Sequence, residues 1–260
     1  MIEGLAALSP HLRKRLVSAL KTGLLPAASS LATVRSVLGI RDGGEEVHDA
    51  LCDLGRQGIS GKAAAVWLRT LEVATARNMP PDLVWSGPEV PGLHARDTRR
   101  VYGELIGGVE RSLWIATFAY FDGPRIFADL ARRIEAVPAL QVKLLLNIQR
   151  RRGDTTRAES LVCRFADSFW GTDWPGSSRP AVFYDPRSLE PHGPAGVLHA
   201  KAVVADGEVV FVTSANLTDA ALDRNIELGI LLRDRALATS VSSHFQGLID
   251  GKLLLPLPTT

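Results

Sequence analysis

The stretch VLHAKAVVADGEVVFVTSANLT (Val197–Thr218) contains two apolar runs, Leu198–Ala205 and Glu208–Thr213, joined by Asp206-Gly207. Asp-Gly between such runs predicts a β-hairpin with a tight turn. Side chains alternate along a strand, so His199 and Lys201 point the same way. With a two-residue turn, Ala205 pairs with Glu208. Lys201 then faces Val212, His199 faces Ser214 and Val197 faces Asn216. Cross-strand partners share a face, so the expectation is one polar cluster of His199, Lys201, Ser214 and Asn216. It depends on register, because a slip of one residue puts the two pairs on opposite faces. An unpaired buried lysine is costly, and four polar groups converging in an apolar sheet point to a site. Glu227, in the alternating run Asn225-Ile226-Glu227-Leu228-Gly229, is a fifth candidate. A carboxylate that accepts from one imidazole nitrogen leaves the other free as nucleophile or base.

Outward from this hairpin, strands alternate with helices. Ser112–Tyr120, Gln141–Ile148, Ala181–Tyr184 and Ile226–Leu232 are predicted strands. Asp97–Glu110, Pro124–Val137, Thr155–Trp170 and Ala236–Ile249 are predicted helices, with a short one near Asp219–Arg224. This is an α/β layered pattern. The strands are continuous apolar runs, so both sheet faces should be covered. Upstream, the first 79 residues are helical. Leu12, Leu16 and Leu20 recur at four-residue spacing, and helices are expected over Ala27–Leu38, Glu45–Gln57 and Lys62–Arg77. Pro80–Pro91 breaks the pattern. The expected organisation is a small all-helical N-terminal domain over 1–79, a linker over 80–95 and an α/β domain over 96–260.

The composition narrows the functional classes. Lys+Arg is 30 against 28 Asp+Glu in 260 residues, so a phosphate-rich partner would need a local basic patch. The two cysteines, Cys52 and Cys163, form no CxxC pair, which argues against a disulfide scaffold or a cysteine metal site and fits a reducing cytosol. The start has no basic region before an apolar stretch, and the longest uncharged runs are too short to span a bilayer. A cytoplasmic protein without membrane segments is expected.

His199-Ala-Lys201-Ala-Val-Val-Ala-Asp206 resembles the HxKxxxxD signature of the phospholipase D superfamily. Asp206-Gly207 matches that family's turn, Ser214-Ala-Asn216 its downstream S-x-N, and Glu227 its following acidic position. Thr213 stands where a glycine is common. The resemblance spans about Arg96–Leu254, one family repeat, and implies a mixed sheet flanked by helices. It implies that His199 attacks phosphorus and forms a phosphohistidine, while a second histidine protonates the leaving oxygen and then activates water. Lys201 and Asn216 would hold the non-bridging oxygens, Ser214 would support phosphate binding, and Glu227 would orient His199. No metal or other cofactor is implied. Asp206 lies about 23 Å from His199 along an extended strand, so a structural role at the turn is expected.

That chemistry needs two histidines, and only one motif is present. His11, His48, His94, His192 and His244 offer no second copy. A twofold homodimer would bring two His199 side chains together in one composite site. For the substrate, Arg150, Arg151 and Arg152 follow a strand, with Arg157 and Arg164 beyond. Such a loop suits a nucleic-acid backbone, and the leading expectation for function is a metal-independent phosphodiesterase acting on DNA. Tyr120, Phe121, Trp170 and Trp174 are candidates to stack on bases, with core packing expected for at least two of them. A lipid phosphodiesterase and a non-catalytic nucleic-acid or protein-binding module are the alternatives. The helical prefix, the segment LVWSGPEVP and the helix start at Arg96-Asp97-Thr98 also resemble the phospholipase D-like component of DISARM anti-phage systems. That likeness implies antiviral defence, with the other DISARM components as partners.

Overall fold

The computed structural model describes residues 3–6, 8–26, 29–75, 80–89, 91–92, 94–191 and 195–259; the side chains at 3, 6 and 72–75 are not among those described. The chain divides into two compact units, one of residues 1–83 and 88–96, the other of 84–87 and 97–260.

The first unit is helical: α1 (Glu3–Ala6), α2 (Pro10–Thr22), α3 (Leu31–Leu38), α4 (Glu45–Arg56) and α5 (Gly61–Thr75). The expected leucine stripe is in place, with Leu16 and Leu20 of α2 buried against Leu38, Leu54 and Leu68. The Ser9 hydroxyl caps α2 by accepting from Leu12 N, Pro10 opens it and left-handed Gly23 closes it. The second helix starts at Leu31, after a Ser30 cap, rather than at Ala27, which lies outside the described residues. Residues 76–77 of the expected fourth helix also lie outside them.

The second unit is built on a sheet. The strands of the chain, in order, are β1 (Asp82–Ser86) and β2 (Arg96–Asp97), whose residues 82, 83 and 96 count with the first unit, then β3 (Ser112–Thr117), β4 (Gln141–Leu146), β5 (Ala181–Tyr184), β6 (Ala202–Ala205), β7 (Val209–Thr213), β8 (Glu227–Arg233) and β9 (Leu255–Pro256). Among the described residues they run in the order β2-β1-β8-β7-β6-β3-β4-β5-β9. β3, β4 and β5 are parallel, while β6, β7 and β8 are antiparallel in turn. This is the expected mixed α/β sheet flanked by helices. The segment expected as a linker over 80–95 carries β1. That strand lies between β2 and the distant β8, and Pro80, Pro81 and Pro88 merely bracket its five residues.

Alternation along the central strands separates two apolar layers. Leu113, Ile115, Leu144, Val203 and Phe211 pack with residues of α6 (Thr98–Gly108), α8 (Ala128–Ala136) and α9 (Ala158–Ser168). A one-turn helix, α7 (Gly123–Ile126), precedes α8, so the single helix expected over Pro124–Val137 is broken at Phe127. Trp114, Leu145, Val204 and Val210 pack with Ala238 and Phe245 of α10 (Arg235–Asp250). Burying a side chain such as Phe211 contributes about 2–3 kcal/mol. Coverage is less complete than expected: Val212, Leu228 and Ile230 on the outer antiparallel strands remain 48%, 51% and 44% exposed. Among the described residues, no helix is long and apolar enough to cross a membrane.

Candidate active site

The hairpin register differs from the expected one. Ala205 pairs with Val209, not Glu208, and Ala202 pairs with Val212. Glu208 is the extra residue. Its N–H closes the turn on the Ala205 carbonyl, and its carboxylate is drawn aside by Arg111 and Arg235. Lys201 therefore meets Thr213, whose N–H donates to the Lys201 carbonyl at 3.1 Å. β6 begins only at Ala202, so His199 precedes the strand. The single four-residue face inferred from strand counting is thus not formed as such. Two pairs form instead.

His199 and Lys201 make the first pair. Lys201 Nζ lies 3.2 Å from His199 Nδ1 and donates to the His199 carbonyl at 3.0 Å. The same Nζ lies 3.4 Å from His199 Nε2, so the amine sits against the ring rather than on one nitrogen. Burial holds the Lys201 amine below its usual range, partly offset by the negative charge of Glu227. Ser214 and Glu227 make the second pair: the serine hydroxyl donates to the carboxylate and accepts from Leu228 N–H at 3.1 Å. Asn225 Nδ2 donates to the other Glu227 oxygen at 3.3 Å. The expected Glu227–His199 bond gives way to these two, because both donors sit on the same hairpin as the carboxylate.

The loop leaving β3 joins the pairs. Ala116 pairs with Ala202, so the chain just past β3 meets the chain just before β6. The Phe118 ring lies 4.8 Å from the His199 ring, and Ala119 N–H donates to Asn216 Oδ1 at 3.3 Å. From the other side, Asn147 at the end of β4 accepts from Leu198 N–H at 3.2 Å, fixing the residue before His199. The segment between Asn216 and Glu227 is held by Arg99, which donates to Asp223 at 2.7 Å and also bonds Asp219, which Arg125 bonds in turn. Thr213 buries its hydroxyl between Leu228 O and Ala215 N, and the small residue stands across the ladder as Gly229, where a Cβ would lie 3.1 Å from Thr213 Cβ. Phe118, Asn147, Asn225 and Arg99 were not among the expected site residues. A polar Asn147 ending the apolar run QVKLLLN was the one local signal.

Asp206 lies at the far end of β6 and acts on the fold. Its carboxylate accepts from the backbone N–H groups of Glu110, Arg111 and Ser112, at 3.1, 2.7 and 3.0 Å. Burial pushes this carboxyl up, but those donors, with the Arg111 charge, hold it below the usual range. Asp206 and Gly207 both take positive φ, 55° and 65°, a backbone that glycine adopts freely.

The expected substrate residues divide. Arg150 is a strut, donating to the carbonyls of Leu189, Asp154 and Thr156, so its guanidinium is committed to the loop. Arg151 and Arg152 are exposed. Tyr120 donates to Asp173 at 2.8 Å and packs edge-on against Phe127, Phe165 and Phe169, so it belongs to the core. Burial, with Asp173, raises its hydroxyl above the ordinary tyrosine range. Trp170 and Trp174 are buried, whereas Phe121 is 75% exposed. Of the other histidines, His11, His48 and His94 lie in the helical unit, His11 and His94 stacked at 4.3 Å. His244 is exposed on α10, and His192 lies outside the described residues. Among the described residues, no group of three or more His, Cys, Asp or Glu is placed to hold a metal ion.

Residues 103–249 match the family model described as cardiolipin synthase, PLD-like domain. Over 147 residues the chain is 26% identical to cardiolipin synthase A of Pseudomonas entomophila (strain L48); this covers 56% of the chain and 27% of that relative, so the chain spans about a quarter of its length. Among solved structures it is similar to Nuc of Salmonella typhimurium, a phospholipase D family member, at 20% identity and a TM-score of 0.44, covering 69% of this chain and 100% of that one. It is also similar to phosphatidylserine synthase of Haemophilus influenzae Rd KW20, at 16% identity and a TM-score of 0.44, covering 76% and 47% of the two chains.

Proposed function

The chain belongs to the cardiolipin synthase, PLD-like domain family, and from that premise we propose that it is a phosphodiesterase that cleaves nucleic acid through a phosphohistidine. Family membership supports the phosphodiesterase class. The observation that carries the mechanism is the ammonium of Lys201 lying 3.2 Å from His199 Nδ1, beside the loop that bonds Asn216.

In this reading an imidazole nitrogen of His199 attacks phosphorus in line, and the bond to the leaving oxygen breaks. Lys201 and the Asn216 amide stabilise the charge that gathers on the non-bridging oxygens. A second imidazole, His199 of a second copy, gives its proton to the leaving oxygen. It then takes a proton from water, which hydrolyses the phosphohistidine. The positive charge comes from lysine, so turnover needs no divalent ion. The helical unit and the LVWSGPEVP segment extend the proposal to defence against phage DNA alongside other DISARM components; their sequence likeness supports that setting.

The test is hydrolysis of a labelled oligonucleotide in excess EDTA, with samples quenched in alkaline detergent, where a phosphohistidine survives, examined for labelled protein. Cleavage by the native chain, a labelled histidine adduct and loss of both in His199→Ala are expected. A strict requirement for added metal, or full activity in His199→Ala, would overturn it.

A further inference from the structure

The carboxyl end of β4 carries a second feature that the catalytic set does not use. The loop leaving this strand borders an open pocket of about 410 Å³ lined by Ile148, Leu161, Phe165, Gln149, Arg151, Arg164 and Asp154. Arg150 makes the loop rigid from within, through its three carbonyl bonds. Ile148 is buried, and Leu161 and Phe165 are half-buried, so one wall is apolar. Phe165 is held by the core: its ring lies parallel to Phe169, 6.3 Å away. The rim is charged. Arg151 and Arg164 are exposed, and the bond described for the Arg164 guanidinium is a long one, 3.4 Å to the Ser160 carbonyl. Asp154 caps the turn by accepting from Thr156 N–H at 2.8 Å.

We propose that this pocket is a nucleotide-binding subsite that seats one unit of the nucleic-acid chain beside the scissile phosphodiester; the inference rests on the phosphodiesterase reading above. A nucleotide joins a flat apolar base to a phosphate. The apolar wall with Phe165 fits the base, and the two guanidiniums fit the phosphate oxygens. Asp154 supplies an acceptor for an exocyclic amino group. The volume falls within the range of ordinary small-ligand pockets. An acyl chain would need an apolar mouth, and this mouth is made of two arginines and an aspartate.

Chain connectivity ties the pocket to the catalytic segment. Ile148, in the pocket wall, directly follows Asn147, which bonds the residue before His199. One strand end therefore anchors both features, and a polymeric substrate can engage both at once where a small diester reaches only the catalytic set.

The experiment compares the native chain with the double variant Arg151→Ala, Arg164→Ala. Both residues are exposed, so folding should be unaffected; a thermal melt checks this. With an eight-nucleotide single strand, KM is expected to rise about tenfold or more with kcat retained. With bis(p-nitrophenyl) phosphate, kcat/KM is expected to stay the same. An unchanged KM for the oligonucleotide would overturn the subsite, as would equal losses on both substrates. If the native chain cleaves neither substrate, the phosphodiesterase reading fails, and fluorescence anisotropy with the same oligonucleotide still reads the pocket. Weaker binding by the double variant then supports the subsite, and equal binding overturns it. Binding to phosphatidylglycerol vesicles that depends on the two arginines, without such dependence for the oligonucleotide, would also overturn it.

Discussion

Ser214 donates its hydroxyl to Glu227 and accepts the N–H of Leu228 at 3.1 Å, so the serine and the carboxylate form one unit across β7 and β8. The Glu227 charge also raises the Lys201 amine against the larger lowering effect of burial. In the proposed mechanism Lys201 must be a cation to hold phosphate oxygens. Activity should therefore fall with rising pH through a value below the ordinary lysine range. Glu227→Gln keeps an acceptor for Ser214 but removes the charge that raises the amine. Its alkaline limb is expected to move to lower pH, read from kcat/KM against pH. An unmoved limb would break the link between Glu227 and Lys201. Lys201→Ala should cost about a hundredfold or more in kcat, the usual loss for one oxyanion donor.

The proposed mechanism uses two imidazoles from two identical chains, which makes mixtures informative. If each composite site needs His199 from both copies, a mixed dimer with His199→Ala is dead. In an equal mixture of exchanging native and variant chains, about a quarter of the dimers hold two native copies. Activity per total chain should fall to about a quarter of the all-native value, against about a half for independent monomers. Measuring the mixture after subunit exchange decides between them, and a strictly monomeric mass in solution would remove the composite site.

Asp206 predicts a stability effect rather than a catalytic one. Its carboxylate satisfies three consecutive backbone N–H groups at the entry to β3. Asp206→Ala leaves them to water, at a cost of about 1–2 kcal/mol and a drop of a few degrees in Tm. The folded carboxyl titrates below its ordinary value. Its contribution is therefore fully present above the unfolded value of about 3.9 and is lost as pH falls through the lower folded value. The native and variant melting curves should converge in acid and separate above about pH 5, with kcat unchanged at 25 °C.

The parts of this fold set by local pattern were legible in the sequence. The Leu12, Leu16 and Leu20 stripe gave α2, and the apolar runs gave β3 to β8. The Asp206-Gly207 turn was legible too, but the extra residue was not. Glu208 leaves the ladder because Arg111 and Arg235 draw it aside, and those partners come from distant parts of the chain. β1 stands where a linker is expected for a similar reason, since one of its two neighbours in the sheet, β8, comes from far along the chain. Arg150, Arg151 and Arg152 look alike in sequence, yet only the first is committed to three carbonyls. Phe118 and Asn147 lie beside the segment that carries His199 because β6, β3 and β4 are adjacent, an order that spacing alone does not reveal.

Asn147 offers the sharpest test of how the proposed catalytic histidine, His199, is positioned. His199 precedes β6, so among the described residues it lies outside the strand ladder. The Asn147 side chain supplies a substitute, accepting from Leu198 N–H at 3.2 Å from the end of a buried parallel strand. Asn147→Ala removes that tether without touching a reacting atom. The imidazole then samples more orientations, and in-line attack tolerates little misplacement. kcat is expected to fall about tenfold to a hundredfold, while KM and Tm stay near the native values. Asn147→Asp keeps the acceptor and should recover most of the lost kcat. A variant that loses Tm in proportion to kcat, or an aspartate that rescues nothing, would mean that Asn147 supports the strand rather than the histidine.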